Sequence, residues 1–393
     1  MTRGEVLDVV VIGAGVVGSS AALSLAREGL RVAIVEASEP EVWRADAPDL
    51  RVYAIAPDSQ ALFERLGVWP AIAAGRTQPY RHMRVWDAAA GGELAFDADA
   101  LGRDRLGSIV EHGLLVDRLW TAVAREPKIS RHCPATLVEL VQDDAGITIM
   151  LDNGNSLRAK LLLGADGAGS QVRALAGLKV SEHHYRQRGL VAYVRTQQPH
   201  EETCWQRFLP SGPLAFLPCS DGRSSIVWTV DDAQASRLLA LDDSSFCAEL
   251  TRAFDARLGT VTEVSERKAF TLRRRLSEEM LHGRIGLIGD AAHVVHPLAG
   301  QGVNLGLRDV SALVTRVQAA RLSGRDFSAS QQLQRWARMR LSENAIAAYS
   351  FEAINTVFSN DGVLPTLARG HLLGLAGKLP PLAQFLWKRA AGV

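Results

Sequence analysis

The residue types and spacings best suited to chemistry lie in three glycine-rich stretches. These are Gly13-Ala14-Gly15-Val16-Val17-Gly18, Gly164-Ala165-Asp166-Gly167, and Gly289-Asp290-Ala291-Ala292-His293 leading into Gly300-Gln301-Gly302. In the first, Gly13 permits a tight turn, Gly15 lets a pyrophosphate approach the backbone, and Gly18 lets helix and strand pack closely. A helix N-terminus there offers free N–H groups and the positive end of a dipole. Glu36, where a second strand ends, can accept both hydroxyl hydrogens of an adenosine ribose. An acid at that place repels a 2′-phosphate, so the expected nucleotide is FAD or NAD, not NADP.

The later stretches choose between the two. Asp290 follows the apolar run Ile285-Gly286-Leu287-Ile288-Gly289, so its carboxylate should emerge at a strand's C-terminal end and can hold a polyol. The run from Val303 and Asn304 to Val310 reads as a helix whose first-turn amides can face the electron-rich edge of a flavin. NAD has neither a ribityl chain nor such an edge. FAD is therefore expected. No covalent link is expected, because no motif supports one at a histidine or cysteine.

These residues need a scaffold to position them. Leu7 to Ile12 reads as a strand, Ser19 to Glu28 as a helix and Arg31 to Val35 as a second strand, a complete βαβ unit. Asp166 and Gly167 close the strand Leu161 to Asp166, at the same ligand edge. Val191–Arg195, Trp205–Phe208, Pro213–Leu217 and Ser225–Val230 are short, rich in β-branched and aromatic residues, and separated by turn signals. The expected fold is α/β. A Rossmann-like nucleotide-binding domain is assembled from residues 1–78, 106–178 and 276–340, and an antiparallel β-rich substrate domain from 79–105 and 179–275. A C-terminal helical segment, 341–393, completes it. A sheet laid over the cofactor would place the substrate cavity at a lobe interface.

The order GxGxxG…E, then GADG with Ser170 and Arg173, then GDAAHxxxPxxGQGxNLGLxD resembles the class A FAD-dependent aromatic hydroxylases, which resemble para-hydroxybenzoate hydroxylase in fold. Within that class four further segments are similar to the ubiquinone-biosynthesis hydroxylases (UbiH/VisC type). They are Asp49 to Ala56, Glu111 with Leu114 and Leu115, the string QRFLPSGPLAFLP from Gln206 to Pro218, and Arg335-Trp336 with Arg338, Arg340 and Asn344. The resemblance implies that Asp166 and Gly167 help hold the pyrophosphate region and that Arg51 lies near the flavin, where a guanidinium can stabilise negative charge on the reduced ring. It also implies that Glu111 contacts the ribose or the phosphate-side loop, and that Pro297, Leu298, Gly300, Gln301 and Gly302 line the path of a moving isoalloxazine ring. No second GxGxxG unit is present. NAD(P)H is accordingly expected as a transient reductant.

The implied chemistry is NAD(P)H reduction of the flavin, addition of O₂ to give a C4a-hydroperoxyflavin, and transfer of one oxygen to the ring of a polyprenylated phenol or benzoquinol. The protein excludes solvent and orients the ring. Tyr53, Tyr193 and His293 are candidates for a catalytic base, each with a structural reading beside it. A soluble aromatic-acid hydroxylase of the same fold would need a cationic anchor for its carboxylate. A non-catalytic FAD redox sensor or scaffold is the reading from another class.

Composition excludes other classes. Forty-four basic against forty-three acidic side chains leave a net charge of +1, so no overall field favours nucleic acid. His293 and His296 lack further ligands in the sequence around them, and no metal is expected. Cys133, Cys204, Cys219 and Cys247 form no CxxC and read as reduced cytosolic thiols. Met1 to Asp8 is short and polar, so no targeting segment is expected. His183-His184 reads as a solvated loop pair. From Gly362 to Val393 there is no acid, while Arg369, Lys378, Lys388 and Arg389 stand among leucines, Phe385 and Trp387. Residues 363–393 read either as an interfacial element or as a helical tail packed on the protein or on a partner, and a ubiquinone-biosynthesis complex is a partner consistent with the family resemblance. The expected location is cytoplasmic, with peripheral contact at the inner membrane on the first reading.

Overall fold

The computed structural model describes residues 6–88, 93–295 and 302–358. At its centre β1 (Leu7–Ile12), α1 (Val16–Arg27) and β2 (Val32–Val35) form the expected βαβ unit. The helix starts three residues earlier than its apolar pattern suggests, because Gly15 adopts an extended backbone as its N-cap and Val16 already packs inside. The strands Ile285–Leu287, Ser156–Gly164, β1, β2 and Ile129–His132 lie side by side and parallel. Their near-continuous Val, Ile and Leu content suits a sheet buried on both faces. The hairpin Leu137–Asp143 and Gly146–Leu151 extends this sheet.

Parallel alignment brings the C-terminal ends of four strands to one edge. Gly13, Glu36, Asp166 and Asp290 all follow those ends. The ladder continues into the turns: Gly13 N–H donates to the Val35 carbonyl, and Ala165 N–H to that of Ile12. Close approach there depends on missing side chains. A Cβ on Gly18 would stand 2.0 Å from the Gly13 carbonyl oxygen, and one on Gly13, whose φ is +102°, 2.5 Å from that of Ala165.

The helix Gly302–Leu322 packs on α1, and Gly306 lets it do so, since a Cβ there would meet Val17 Cγ2 at 2.7 Å. The helix Ser330–Phe358 runs unbroken through residue 340, so the expected boundary between nucleotide domain and C-terminal segment falls inside one helix. Arg340 and Asn344 explain the continuity, for both face the same buried acid, Asp309.

The inserted sheet runs in the order His293–Val294, Lys268–Ser277, Val180–Thr196, Ser224–Asp231, Gly212–Pro218, Thr203–Leu209, His82–Asp87, Glu93–Asp97, with Val261–Val264 beside Val180–Thr196. It is antiparallel except that Thr203–Leu209 pairs parallel with His82–Asp87. His183 and His184 lie within the long strand Val180–Thr196, opposite Arg274 and Arg273, and not in a loop. Strand alternation sends Leu214, Phe216, Ile226 and Trp228 to one face, where Leu238, Phe246 and Leu250 of two helices cover them. The other face carries Val191, Ala215 and Val227 towards the nucleotide lobe. A small sheet of Val52–Ile55, Gly107–Glu111 and Thr77–Tyr80 closes one end.

Candidate functional site

A cavity of about 1290 Å³ lies between the strand ends and the open face of the inserted sheet. Gly13, Gly15, Val16, Glu36, Asp166 to Gly169, Asp290, Val295, Gly302 and Val303 all line it. Lining residues that follow four neighbouring strand ends suit a dinucleotide laid across the sheet edge. A Cβ on Gly15 would meet nothing within 4 Å, in contrast to Gly13 and Gly18. Gly15 thus keeps room in the cavity for a ligand, while the other two keep room for protein.

The acids around the cavity show what they could hold. Glu36 Oε2 accepts from Ala14 N–H at 2.5 Å and Oε1 from Ala37 N–H at 2.9 Å, which leaves lone pairs on both oxygens for ribose hydroxyls. Asp166 Oδ2 accepts from Gln171 and Val172 N–H groups, whereas its buried Oδ1 has no partner among the described residues. An orphaned buried oxygen beside a polar ligand site is a place for a donor on that ligand. Asp290 follows the strand end within a short 3₁₀ turn, opens on the cavity, and accepts no hydrogen bond from any described residue. Arg173 turns inward instead, donating to the carbonyls of Ala291 and Ala168 and locking the two acidic loops together.

Other expected residues stand elsewhere. Glu111 ends a strand and caps the helix His112–Arg125. Arg76 clamps both of its oxygens, at 2.7 and 2.9 Å, and Trp43 Nε1 adds a third bond. Its carboxylate is committed to protein and does not line the large cavity. Asn304 is buried and bridges backbone, accepting from Ala56 N–H and donating to the Ala54 carbonyl. It fixes the helix that presents Gly302 and Val303. Pro297, Leu298, Gly300 and Gln301 lie outside the described residues, as does His296.

The three candidate bases also separate. His293 is buried with Nε2 2.6 Å from Asp309 Oδ2, away from the cavity lining. Burial alone would raise the Asp309 carboxyl, but His293 and Arg340 outweigh it and hold it below the usual carboxylate value. Tyr193 is buried and donates its hydroxyl to the Asp49 carbonyl at 2.6 Å. Tyr53 alone of the three lines the cavity, with Arg51 over its ring at 5.3 Å. Its hydroxyl is 3.2 Å from His112 Nδ1, a cavity residue that sequence reasoning passed over although it directly follows Glu111. Burial, with the Arg51 guanidinium added, pushes His112 down to about 4. Among the described residues no group of three metal-binding side chains converges.

The FAD binding domain family model matches residues 6–333. The 3-demethoxyubiquinol 3-hydroxylase of Escherichia coli (strain K12) is 38% identical over 369 residues, 94% of this chain and 93% of that protein. The chain belongs to the FAD-dependent ubiquinone-biosynthesis hydroxylases. Ubiquinone hydroxylase UbiL of Rhodospirillum rubrum is 36% identical over 99% of this chain and 90% of its own length. The fold of this family member is shared with p-nitrophenol 4-monooxygenase PnpA from Pseudomonas putida DLL-E4, at a TM-score of 0.79, 20% identity and 98% coverage of each chain. The chain is thus a flavoprotein monooxygenase, and FAD is its cofactor.

The glycines predict separable failures. Gly15→Val should fold with the wild-type far-ultraviolet spectrum but purify without flavin. Gly18→Ala should instead lose about 1–3 kcal/mol of stability through overpacking. Asp290→Ala should weaken FAD by about ten- to a hundredfold, the loss of hydrogen bonds to one charged acceptor. Absorbance near the flavin bands, together with FAD titration of the apoprotein, reads Gly15→Val and Asp290→Ala, and denaturant melts read Gly18→Ala; full flavin occupancy in Gly15→Val and Asp290→Ala would remove these two residues from the site.

His112 predicts a pH dependence. An unfolded histidine protonates near ~6.5, so between there and the folded value of about 4 the unfolded chain binds more protons. The contribution is complete above pH ~6.5 and is lost progressively as pH falls. His112→Gln should lose less stability than wild type between neutral pH and pH ~4.5, by about 2–3 kcal/mol. Parallel thermal melts across that range would refute this if both proteins declined with the same slope.

Proposed function

We propose that this enzyme hydroxylates a ring carbon of a neutral polyprenylated phenol or benzoquinol in ubiquinone biosynthesis, with NAD(P)H and O₂ as co-substrates. One observation carries the substrate class. The cavity wall supplied by the strands Thr203–Leu209, Gly212–Pro218 and Ser224–Asp231 consists of Gln206, Pro213, Ala215, Leu217, Val227 and Thr229. None is charged. These six residues offer a carboxylate no cation, whereas a neutral ring bearing an isoprenoid tail matches them. The cavity cations come from other segments: Arg51, Lys268 and Arg273.

Bound FAD supplies the redox and oxygen-activating chemistry. The chain's own residues supply placement. Gly13, Gly15 and the α1 N-terminus suit the pyrophosphate, Glu36 the adenosine ribose, Asp290 the ribityl hydroxyls, and Gly302 with Val303 the ring edge. Residues 179–275 form the opposing wall that keeps water from the reacting carbon. Tyr53 holds its proton, since burial raises its phenol above the ordinary range, and His112 beside it is neutral at pH 7 and can accept that hydrogen bond. The pair is suited to holding or relaying a proton at the phenol oxygen of Tyr53.

The test is turnover. Purified holoenzyme supplied with NAD(P)H, ¹⁸O₂ and a short-chain prenylated phenol should give a product carrying one labelled oxygen. Flavin that reduces and reoxidises with no labelled product from any prenylated or simple phenol would favour the redox-sensor reading.

No helix among the described residues is long and apolar enough to cross a membrane. We propose that residues 363–393, outside the described residues, contact the cytoplasmic face of the inner membrane through Trp387, Lys388 and Arg389. Reversing both charges by Lys388→Glu and Arg389→Glu should remove roughly 2 kcal/mol of attraction to anionic vesicles. Sedimentation with such vesicles at low and physiological salt would return equal retention of both proteins if the tail serves folding or a protein partner instead.

A further inference from the structure

The strand register lines up a row of cavity residues across the inserted sheet. Gln206 pairs with Ala215, Ala215 with Val227, Val227 with Val191, and Val191 with Lys268. All five line the cavity, and residues paired across strands share a face. The row is therefore an amide, three small aliphatic side chains and an ammonium, laid out at about 4.8 Å per strand.

Its two ends differ. The small sheet packs Ala54 and Ile109 against Cys204 and Leu217, with Ala215 and Val227 of the row against the same cluster. Gln206 is 7% exposed, and its side-chain amide makes no hydrogen bond with any described residue. Neither polar atom of that amide is sealed from the cavity, so on a wall otherwise nearly apolar it is the group left open to a polar atom of a ligand. At the other end Phe270, next but one to Lys268 and lying over Gly189, is 45% exposed. An exposed aromatic beside an ammonium marks an opening where an apolar chain can leave towards solvent or lipid.

We propose that Gln206 is the specificity-determining anchor for the substrate ring, and that the Ala215–Val227–Val191 row guides the substrate's tail out past Phe270. The inference rests on the prenylated-phenol reading and gives it an orientation. The side-chain amide both donates and accepts, so it can serve a ring hydroxyl, methoxy or carbonyl oxygen without requiring charge. The head lies at the Gln206 end of the row, and the tail crosses the strands towards Phe270.

The experiment uses the holoenzyme with two probes, a phenol bearing a short isoprenoid tail and the same phenol without it. Gln206→Leu keeps the volume and removes the amide; Gln206→Asn keeps the amide but retracts it by one methylene. FAD absorbance and circular dichroism check that each is folded. Loss of one neutral hydrogen bond should raise KM about three- to tenfold for both probes in Gln206→Leu, with more NAD(P)H oxidised per hydroxylated product, and Gln206→Asn should fall between it and wild type. Val191→Phe should shift preference towards the tail-less phenol. If both Gln206 variants are folded and keep wild-type KM and coupling, the anchor is refuted; if Val191→Phe leaves the preference unchanged, the tail path is. A wild-type enzyme that hydroxylates neither probe would instead overturn the functional reading on which the anchor depends.

Discussion

The arrangement around the cavity depends on one buried carboxylate. Asp309 Oδ2 accepts from Gly289 N–H at 3.0 Å and lies 2.6 Å from His293 Nε2, while Oδ1 accepts from Arg340 Nε and Asn344 Nδ2. These partners come from both sides of the loop carrying Asp290 and from the last described helix. A fully buried acid with so many donors is stable as an ion, and removing the Arg340 guanidinium would take away its cationic partner. The loop is thereby held from behind, and Asp290 is left to face the cavity. The side chains of His293, Arg340 and Asn344 work on the protein side of that loop.

A second constraint is the two-residue period of the inserted strands. Within Gly212–Pro218, Leu214 and Phe216 enter a core beneath two helices while Pro213, Ala215 and Leu217 face the cavity. Both sets are apolar, so a hydrophobic run stands where alternation with polar residues would mark a solvated face. The run is the signature of a wall with two apolar faces, one under the helices and the other against the small sheet and the cavity.

This explains what could be read in the amino-acid order and what could not. The βαβ unit, the strand before Asp290 and the inserted strands were legible because local periodicity and turn residues specify them. Gly15, read from the spacing as leaving room for a pyrophosphate, has open space beside it, whereas Gly13 and Gly18, read as turn and packing positions, face backbone atoms. Glu111 and Asn304 were read as cofactor contacts, but their partners, Arg76 with Trp43 and the backbone of Ala54 and Ala56, are set by tertiary packing. His112 and the exposure of Gln206 to the cavity were hidden for the same reason: register across five strands is a property of pairing, and no local window contains it. The continuity of the last described helix through residue 340 was not legible, because the partner of Arg340 and Asn344, Asp309, lies about thirty positions upstream.

The chain passes from the nucleotide sheet to the inserted sheet within a few residues, for Ile285–Leu287 belongs to the first and His293–Val294 pairs with Leu276 and Arg275 in the second. Cofactor loop and substrate wall are therefore consecutive links of one polypeptide. Modular exchange follows a different border from the one the lobes suggest. A chimera that imports a relative's substrate wall without the matching residues 268–294 would splice foreign backbone into the turn that carries Asp290, so the natural unit of inheritance is the wall together with its flavin loop.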